Sequence, residues 1–451
     1  MKIALIGGGL MGLALARQLC RQGHAVTVFE REKQLGGLAT YHDYGPFFWD
    51  RFYHVILPSD THLLDFLRDI GLGDQLHWAK TRTGFYVDET FYSMSSSLEF
   101  LRFPPLPLWS KARLAATILY CARIEDWKSL ERITVEDWLR KVCGRRTFEK
   151  LWRPLLLAKL GEHYRRVSAV FIWSYIKRMY SARDSSAQKE TLGYVSGGYK
   201  TVFDRVEQLV AAAGGRILTD VAVSNIRADP AGGISVDYRG RTERFDKAVY
   251  TAPVSVLERT VSEDLFEVEK IGGHVEYLGV VCMVLITRTP LVPYYVLNIA
   301  DDRIPFTGVI GMSNLLSPEE TKGLHITYLP KYVHYEDPIL RQSDEELRTL
   351  FLGGLELMFP EFREEDVISV HINRATRVQP LQVLNYSTLV PKVFTKHPDL
   401  FILNTSQFVN CTLNNNEVIR AVSDFLASNG PALAAAPEVA VDATPAAARA
   451  S

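Results

Sequence analysis

The 451-residue chain carries 51 basic and 52 acidic side chains, so its formal charge of −1 gives no reason to expect a nucleic-acid partner. At this length the chain is long enough for two or three structural units. The longest apolar runs fall short of the ~18 residues that a membrane-spanning helix needs. The five cysteines form neither a C-x-x-C pair nor a Cys/His cluster, which predicts a reduced cytoplasmic protein without a metal site. The N-terminus also has no basic region or cleavage site typical of a signal peptide.

The first motif follows an apolar stretch at residues 3–6, which predicts a buried parallel strand. Gly7, Gly9 and Gly12 come next in G-x-G-x-x-G spacing, with Leu10 and Met11 between the last two glycines, and a helical pattern follows. The first glycine allows a tight turn, the second lets a pyrophosphate approach the backbone, and the third lets the helix pack on the strand. We therefore predict a dinucleotide site in which the helix N-terminus holds the phosphates.

An acidic residue ends the second predicted strand, residues 25–29. The carboxylate of Glu30 stands at the distance from the glycines that suits hydrogen bonds to an adenosine ribose. It would also repel a 2′-phosphate, so FAD or NAD is favoured over NADP. A glycine-rich turn without a ligand is the alternative.

A second pair of glycines distinguishes between these dinucleotides. Gly36 and Gly37 stand six and seven residues after Glu30, and this spacing resembles the flavin-binding signature of the amine oxidase and protoporphyrinogen oxidase superfamily. The resemblance implies FAD as cofactor, with the pair close to the pyrophosphate and with Arg31 and Leu38 beside it. Leu38 occupies a position where many members carry Arg. An NAD dehydrogenase has no need of the second pair.

The resemblance also implies the fold class. It is an α/β protein with a Rossmann-like FAD-binding domain of the glutathione reductase/amine oxidase type and an interleaved α+β substrate domain. No second G-x-G-x-x-G marks a separate NAD(P)H domain. The predicted FAD-binding parts are residues 1–78, 191–262 and 373–428; the substrate parts are 79–190, mostly helical, and 263–372; an Ala/Pro-rich tail, 429–451, is predicted to be disordered.

Three later segments resemble further flavin contacts of the superfamily. Val223 matches a valine whose backbone bonds to the adenine, and Ala252 lies in a strand end that skirts the adenosine. Asn404 and Thr405 match a strand end near the ribityl chain, where many amine oxidases carry Gly-Asp or Gly-Glu. This Asn-Thr form is closer to a bacterial subgroup of protoporphyrinogen-oxidase-like proteins.

The last of these segments is the start of a predicted helix. The resemblance implies that the helix N-terminus at Asn416, Glu417 and Val418 points at the flavin pyrimidine ring. Its dipole would stabilise negative charge on the reduced flavin. An ordinary β–loop–α ending is the alternative for residues 404–418.

Candidate catalytic residues lie in the loop that follows the glycine pair. Tyr53 and His54 occupy a segment that passes beside the isoalloxazine in this superfamily. The arrangement is similar to UDP-galactopyranose mutase, although the second histidine of the mutase is Leu57 here. Because histidine can shuttle a proton near pH 7, both residues are our candidates for contact with flavin or substrate. A packed loop is the alternative.

Three further features have two interpretations each. Arg377, with Arg374, predicts either bidentate binding of an anionic substrate group or a surface ion pair. Lys159 has two interpretations: its side chain faces a substrate cavity, or it extends towards solvent, and the second is favoured. Residues 98–122 are apolar with interleaved basic residues. One interpretation is that they line a lipophilic entry or rest on a membrane; the favoured one is that they pack within the helical segment.

The leading functional prediction is an FAD-dependent oxidoreductase that oxidises a C–H, C–N or C–C bond of a small molecule by hydride transfer to flavin. His54 or a bound water would take the proton, and oxygen or a cellular acceptor would reoxidise the flavin. The alternatives are a non-redox mutase or isomerase acting on a nucleotide sugar, and a flavin-binding accessory protein without catalysis.

Overall fold

The computed structural model describes residues 1–181, 191–262, 265, 275–393 and 395–434. The strands are β1 (Lys2–Ile6), β2 (Ala25–Phe29), β3 (Tyr41–Asp43), β4 (Phe48–Asp50), β5 (Leu76–Lys80), β6 (Thr83–Val87), β7 (Thr90–Ser93), β8 (Thr191–Val195), β9 (Arg216–Leu218), β10 (Val223–Ala228), β11 (Ile234–Tyr238), β12 (Arg241–Phe245), β13 (Lys247–Tyr250), β14 (Tyr277–Thr287), β15 (Val296–Ile299), β16 (Gly308–Gly311), β17 (His325–His334), β18 (Val367–Pro380) and β19 (Leu400–Ile402). The α-helices are α1 (Leu10–Arg21), α2 (Thr61–Asp69), α3 (Ser97–Arg102), α4 (Leu108–Arg123), α5 (Trp127–Leu130), α6 (Val135–Cys143), α7 (Arg145–Thr147), α8 (Arg153–Leu160), α9 (Ala169–Ser181), α10 (Gly198–Ala212), α11 (Val254–Thr260), α12 (Asp344–Met358) and α13 (Asn415–Ala434).

A five-stranded parallel sheet carries the first glycine motif. Its strand order is β19-β13-β1-β2-β9, with Ala4 of β1 opposite Thr27 and Ala248 on the two neighbouring strands. The central strands are buried, as continuous apolar runs covered on both faces require. Helices α1, α2, α10 and α13 contribute to one apolar core with this sheet. The α/β prediction is confirmed.

Distant parts of the chain build this sheet. β1 and β2 come from the first predicted segment, β9 and β13 from the middle one, and β19 from the last. β13 lies between β1 and β19, pairing Ala248 with Leu400 on one side. The parallel sheet is therefore complete only when residues 400–402 join it.

A seven-stranded mixed sheet forms the second unit, with strand order β18-β14-β17-β16-β15-β6-β7. One face packs against α12 and the other against the loop around residues 44–57. Helices α4, α6 and α9, which belong to the inserted segment, pack into a core of their own. The interleaved α+β unit therefore forms as predicted.

Some predicted boundaries need correction. β18 is one strand across the boundary between 372 and 373, because its residues from Val367 to Pro380 pair with β14, so this segment of the substrate unit extends to Pro380. β5 likewise crosses the boundary between 78 and 79. Helix α13 continues past residue 428 to Ala434 despite Pro431, since Leu433 is buried in the core, and residues 435–451 lie outside the described part.

Two further findings concern the described residues alone. None of their helices combines the length and the hydropathy that crossing a lipid bilayer would take. All five cysteines are free, four of them buried.

Candidate functional site

The first glycine turn joins β1 tightly to α1. Gly7 has φ +121°, and a Cβ there would lie 2.7 Å from Thr251 Oγ1. A Cβ on Gly12 would overlap the carbonyl oxygen of Gly7. The two glycines therefore allow the turn and the close helix packing that their spacing predicts.

The two glycine pairs meet each other at the start of α1. Gly36 N donates to Gly8 O at 2.9 Å, and a Cβ on Gly37 would lie 3.3 Å from Gly9 Cα, so the two backbone segments are in close contact. Leu10 and Met11 form the first turn of α1, and within the described residues no side chain caps that turn. The uncapped N–H groups at the start of α1, next to glycines without side chains, suit a pyrophosphate group.

Glu30 lies at the mouth of this turn. Its Oε2 accepts from Gly8 N at 2.7 Å and its Oε1 from Glu32 N at 2.9 Å. The Arg31 side chain instead extends into solvent and pairs with Glu32 at 2.8 Å, while Leu38 is half-buried. Glu30 is thus fixed beside the glycine turn by two backbone N–H groups, whereas the Arg31 guanidinium lies away from the glycines.

The ends of β13 and β10 flank the same turn. Ala252 N donates to Ile6 O at 3.0 Å, which holds this strand end against β1. Val223 begins β10 and packs on the same apolar cluster as Ala252. The structure therefore brings both predicted adenosine-side residues to one region.

Asn404 caps a short turn, Thr405–Gln407, that follows β19. Its Oδ1 accepts from Ser406 N and its backbone N donates to Gln407 Oε1, both at 2.8 Å, while its Nδ2 donates to Ala252 O. Only 2 % of Asn404 is exposed, and Thr405 is half-buried. The Asn-Thr departure from the Gly-acid form thus supplies a capping box that fixes the strand end.

The start of α13 is tied to α2. Asn416 Oδ1 accepts from Leu63 N at 3.1 Å, Glu417 pairs with Arg420, and Val418 is buried. Asn414 Oδ1 also accepts from Glu417 N at 3.0 Å, so a side chain caps the first turn of α13 and fixes its position beside α2.

The loop after β4 connects this region to the seven-stranded sheet. Asp50, 2 % exposed, accepts from Tyr199 N at 2.8 Å through Oδ1 and from the Tyr328 hydroxyl at 2.6 Å through its carbonyl oxygen. His54 Nδ1 lies 3.8 Å from Asp50 Oδ2, and its ring contacts Tyr199 edge-on at 5.4 Å. Sequence reasoning missed Asp50 and Tyr199, although Gly198 before Tyr199 is required, since a Cβ there would meet Asp50 Oδ1.

Burial decides the charge of this pair. Burial raises the pKa of Asp50 to about 8 and lowers the pKa of His54 to about 4. At neutral pH the imidazole is therefore uncharged. Its Nδ1 is a buried polar atom without a hydrogen-bond partner among the described residues.

Tyr53 belongs to a second buried group. Its hydroxyl is 2.8 Å from the Tyr332 hydroxyl of β17, and Lys159 Nζ lies 3.1 Å from the centroid of the Tyr332 ring. Burial raises the pKa of Tyr332 to about 12 and lowers the pKa of Lys159 to about 7. The favoured solvent-directed interpretation of Lys159 is therefore wrong, because the amine lies over an aromatic ring.

A large cleft of about 860 Å³ opens beside this group, between α8 and β17. Its wall includes Tyr332, Thr307, His163 and His334, and the two histidine rings stack at 4.7 Å. Tyr332 thus lines the cleft and also contacts Tyr53.

Arg377 does not join this group. It is exposed on β18, with its guanidinium 5.8 Å from the Tyr335 ring, while neighbouring Arg374 pairs with Asp344 at 2.6 Å. The structure does not support Arg377 as a partner of Tyr53 and His54, because an irregular register in β18 directs it elsewhere. In the described part of the chain, no cluster of three His, Cys, Asp or Glu side chains is placed to hold a metal ion.

Curated proteins match only a short stretch of the chain. A flavin-containing monooxygenase of Arabidopsis thaliana, FMO GS-OX-like 6, is 61 % identical over 36 residues, and the match spans 8 % of either protein. The chain therefore covers a small part of the curated relatives it matches.

Solved structures match over almost the full length. A protein of Exiguobacterium sp. 255-15 assigned as a protoporphyrinogen oxidase gives a TM-score of 0.72 at 16 % identity, covering 95 % of this chain and 98 % of that one. Cyclohexylamine oxidase of Brevibacterium oxydans gives 0.74 at 15 % identity, with 96 % and 99 % covered. Reduced UDP-galactopyranose mutase gives 0.70 at 16 % identity, with 96 % and 97 % covered. At these identities the likeness establishes the fold.

A family model decides the assignment. It describes flavin-containing amine oxidoreductases and matches residues 10–375, which include α1, Glu30, the second glycine pair and the Tyr53–His54 loop. The glycine turns, the uncapped helix and Glu30 fit FAD, the cofactor of this family. The chain therefore belongs to the flavin-containing amine oxidoreductase family, with FAD as its cofactor.

Proposed function

We propose that the chain oxidises a small molecule by transfer of hydride from a C–H bond to FAD. The observation that carries the proposal is the loop after β4, whose His54 contacts the Tyr199 side of the cofactor unit and whose Tyr53 contacts the substrate unit. One loop thus presents two proton-carrying groups between the units. When bound, FAD supplies the electron acceptor for the oxidation.

The side chains have distinct roles in this proposal. His54, uncharged at neutral pH, accepts the proton that leaves the substrate heteroatom, either directly or through a water. The Tyr53–Tyr332 hydroxyl pair orients the substrate and passes a proton towards the cleft. Lys159 holds the Tyr332 ring by contact with its face.

The first test is the visible spectrum of the purified protein, followed by denaturation to identify the released cofactor. Anaerobic addition of amines, porphyrinogens, steroids or polyenes should bleach the flavin with one class. His54→Gln should slow that bleaching while FAD remains bound, and His62→Gln, a histidine change on α2, is the control. A bound flavin that no C–H donor reduces, in the wild type or in either variant, would favour an accessory protein instead.

Admission of air then identifies the electron acceptor. Rapid return of the oxidised spectrum with hydrogen peroxide would make oxygen the acceptor. Slow return that a quinone or another dye accelerates would point to a different acceptor.

A non-redox mutase acting on a nucleotide sugar is the second candidate. Two observations favour it, namely His54 in the loop and the likeness to reduced UDP-galactopyranose mutase. This candidate predicts turnover of a UDP-sugar only after dithionite reduction, without net oxidation. Turnover by the oxidised protein with loss of hydride would exclude it.

A further inference from the structure

An apolar surface runs along the outside of α4. Its side chains follow helical spacing and are all exposed: Leu108, Trp109, Ala112, Ala115, Ala116, Leu119 and Tyr120. Trp109 is 79 % and Leu108 72 % exposed, the highest values among the large apolar side chains described. We call these residues, with the exposed Leu98 and Leu101 of α3, the α4 face.

The opposite side of α4 already contacts the protein. Leu114, Thr117 and Cys121 are buried against the helical core, as the predicted packing of residues 98–122 requires. A helix that is apolar on both sides normally has both sides covered. Six of the fifteen large exposed apolar residues described in the chain lie within residues 98–120, whereas the others are spread over several elements. The α4 face is therefore a contact surface that lacks its partner.

Basic residues border this face. Arg113, at its edge, donates to the carbonyl oxygens of Lys141 and Val142, which brings the α6–α7 junction alongside α4. Lys141, Arg145 and Arg146 at that junction are exposed, and no ion pair within the described residues neutralises them. The nearby Glu136 and Glu149 share Arg140, so these three side chains sum to −1. The four positive charges of Arg113, Lys141, Arg145 and Arg146 exceed this and leave the border net positive.

We propose that the α4 face and its basic border attach the protein to an anionic lipid bilayer. Leu, Trp and Tyr on one side of a helix, with Lys and Arg beside it, suit a helix that lies in the interface of a membrane. A second copy of the chain fits less well, because a symmetric pairing through the α4 face would bring the two basic borders together. The occupant is thus a bilayer surface that carries phosphatidylglycerol or a similar acidic lipid.

Sedimentation with vesicles tests this proposal on the purified, full-length, FAD-loaded protein. Vesicles of phosphatidylcholine with phosphatidylglycerol should carry the protein down, and raising the salt to about 1 M should release most of it, because screening then acts over about 3 Å. Vesicles of phosphatidylcholine alone should bind much less. Equal binding to both vesicle types would overturn the role of the basic border.

Variants separate the two parts of the surface. Leu108→Ser with Trp109→Ser should weaken binding on the order of a hundredfold by removing the apolar contribution. Arg145→Gln with Arg146→Gln should weaken it about fivefold for each charge lost. Leu350→Ser with Leu357→Ser, two exposed leucines of α12, is the matched control and should leave binding unchanged. Retained flavin absorbance shows that each variant is folded.

Three results would overturn the proposal. One is failure of the wild type to bind either vesicle, and another is equal binding by the Leu108/Trp109 variant. The third is a wild-type dimer in light scattering that the same variant dissociates, which would make the α4 face a contact between copies.

Discussion

His54 is uncharged in the folded protein because it is buried, and this state links stability to pH. Its folded pKa, about 4, lies below the ordinary value of 6.5, so the unfolded chain binds more protons between these values. Stability from the neutral ring is complete above about pH 6.5 and falls as the pH drops towards 4. Asp50 acts in the opposite direction, since its raised pKa lowers stability as the pH rises from 3.8 to about 8.

Replacing His54 should therefore change how steeply the free energy of unfolding depends on pH. In the wild type, protonation of this ring lowers the free energy of unfolding between pH 6.5 and 4. His54→Gln should lack that loss, so plots of unfolding free energy against pH for wild type and variant should converge in acid. Urea unfolding of the apoprotein at a series of pH values measures the difference. His62→Gln serves as the control. A constant offset between His54→Gln and wild type would contradict the burial of a neutral imidazole.

Among single residues, the sequence predicts roles for the glycines, Glu30, Tyr53 and His54 because each is close along the chain to a motif. It did not identify Tyr332, whose hydroxyl meets that of Tyr53 across a separation of 279 residues. It grouped Arg377 with the site because Arg377 precedes the return to the cofactor unit, but an irregularity in the pairing of β18 turns it away. Side-chain direction at such an irregularity is not readable from spacing alone.

At the level of elements, the contact between β1 and α1 depends on the absence of a side chain at Gly12. Gly12→Ala should displace α1 from the turn, weaken FAD binding at least tenfold and lower stability by about 1–3 kcal/mol, as overpacking does. Gly353→Ala in α12 is the matched control, because its Cβ would meet open space. That change should raise stability by roughly 0.5–1 kcal/mol without altering FAD affinity.

Fluorescence titration of the apoprotein with FAD measures the affinities. Thermal melts of the same samples give the stabilities. Equal FAD affinity in the Gly12 and Gly353 variants would show that FAD binding does not depend on the close approach of α1 to the glycine turn.

The capping box after β19 offers a second paired comparison. Asn404→Ala removes the cap of the turn and the bond to Ala252, so it should cost about 1 kcal/mol or more of stability and should also weaken FAD binding. Ser343→Ala removes the similar capping box of α12 and should cost about the same stability with unchanged FAD binding. Loss of FAD affinity in both variants would indicate a general destabilisation instead.

Element positions were predictable where a pattern is local. β2 matches its predicted residues, 25–29. The predicted end of the last helix was wrong by six residues, because Pro431 and the Ala-rich sequence after it conceal the buried Leu433. The boundary inside β18 failed because one strand joins both predicted segments.

In the whole molecule, the cofactor unit and the substrate unit are bonded to each other at several places. Arg178 pairs with Asp60 at 2.9 Å, Ser196 donates to Glu320 at 2.5 Å, and the Tyr328 hydroxyl donates to Asp50 O. Two segments of one unit are also inserted between the three segments of the other. We therefore expect both units to unfold together.

FAD should stabilise the entire chain, although it binds one unit. At a free concentration one hundred times its dissociation constant, FAD should add about 2.7 kcal/mol to the free energy of unfolding. Calorimetry should record one transition that moves upward as a whole. Two transitions, of which FAD shifts only one, would show that the units are independent.

The order of strands β1, β13 and β19 also bears on how the protein is made in the cell. The first glycine turn leaves the ribosome long before β19, roughly 20–80 s earlier at about 5–20 residues per second. Until then β13 has an unpaired edge, and the cap that Asn404 places on Ala252 does not exist. We therefore expect the nascent chain to expose apolar strand edges, which chaperones can bind or which can aggregate, until β19 is synthesised. We also expect it to bind FAD only at or after the end of translation.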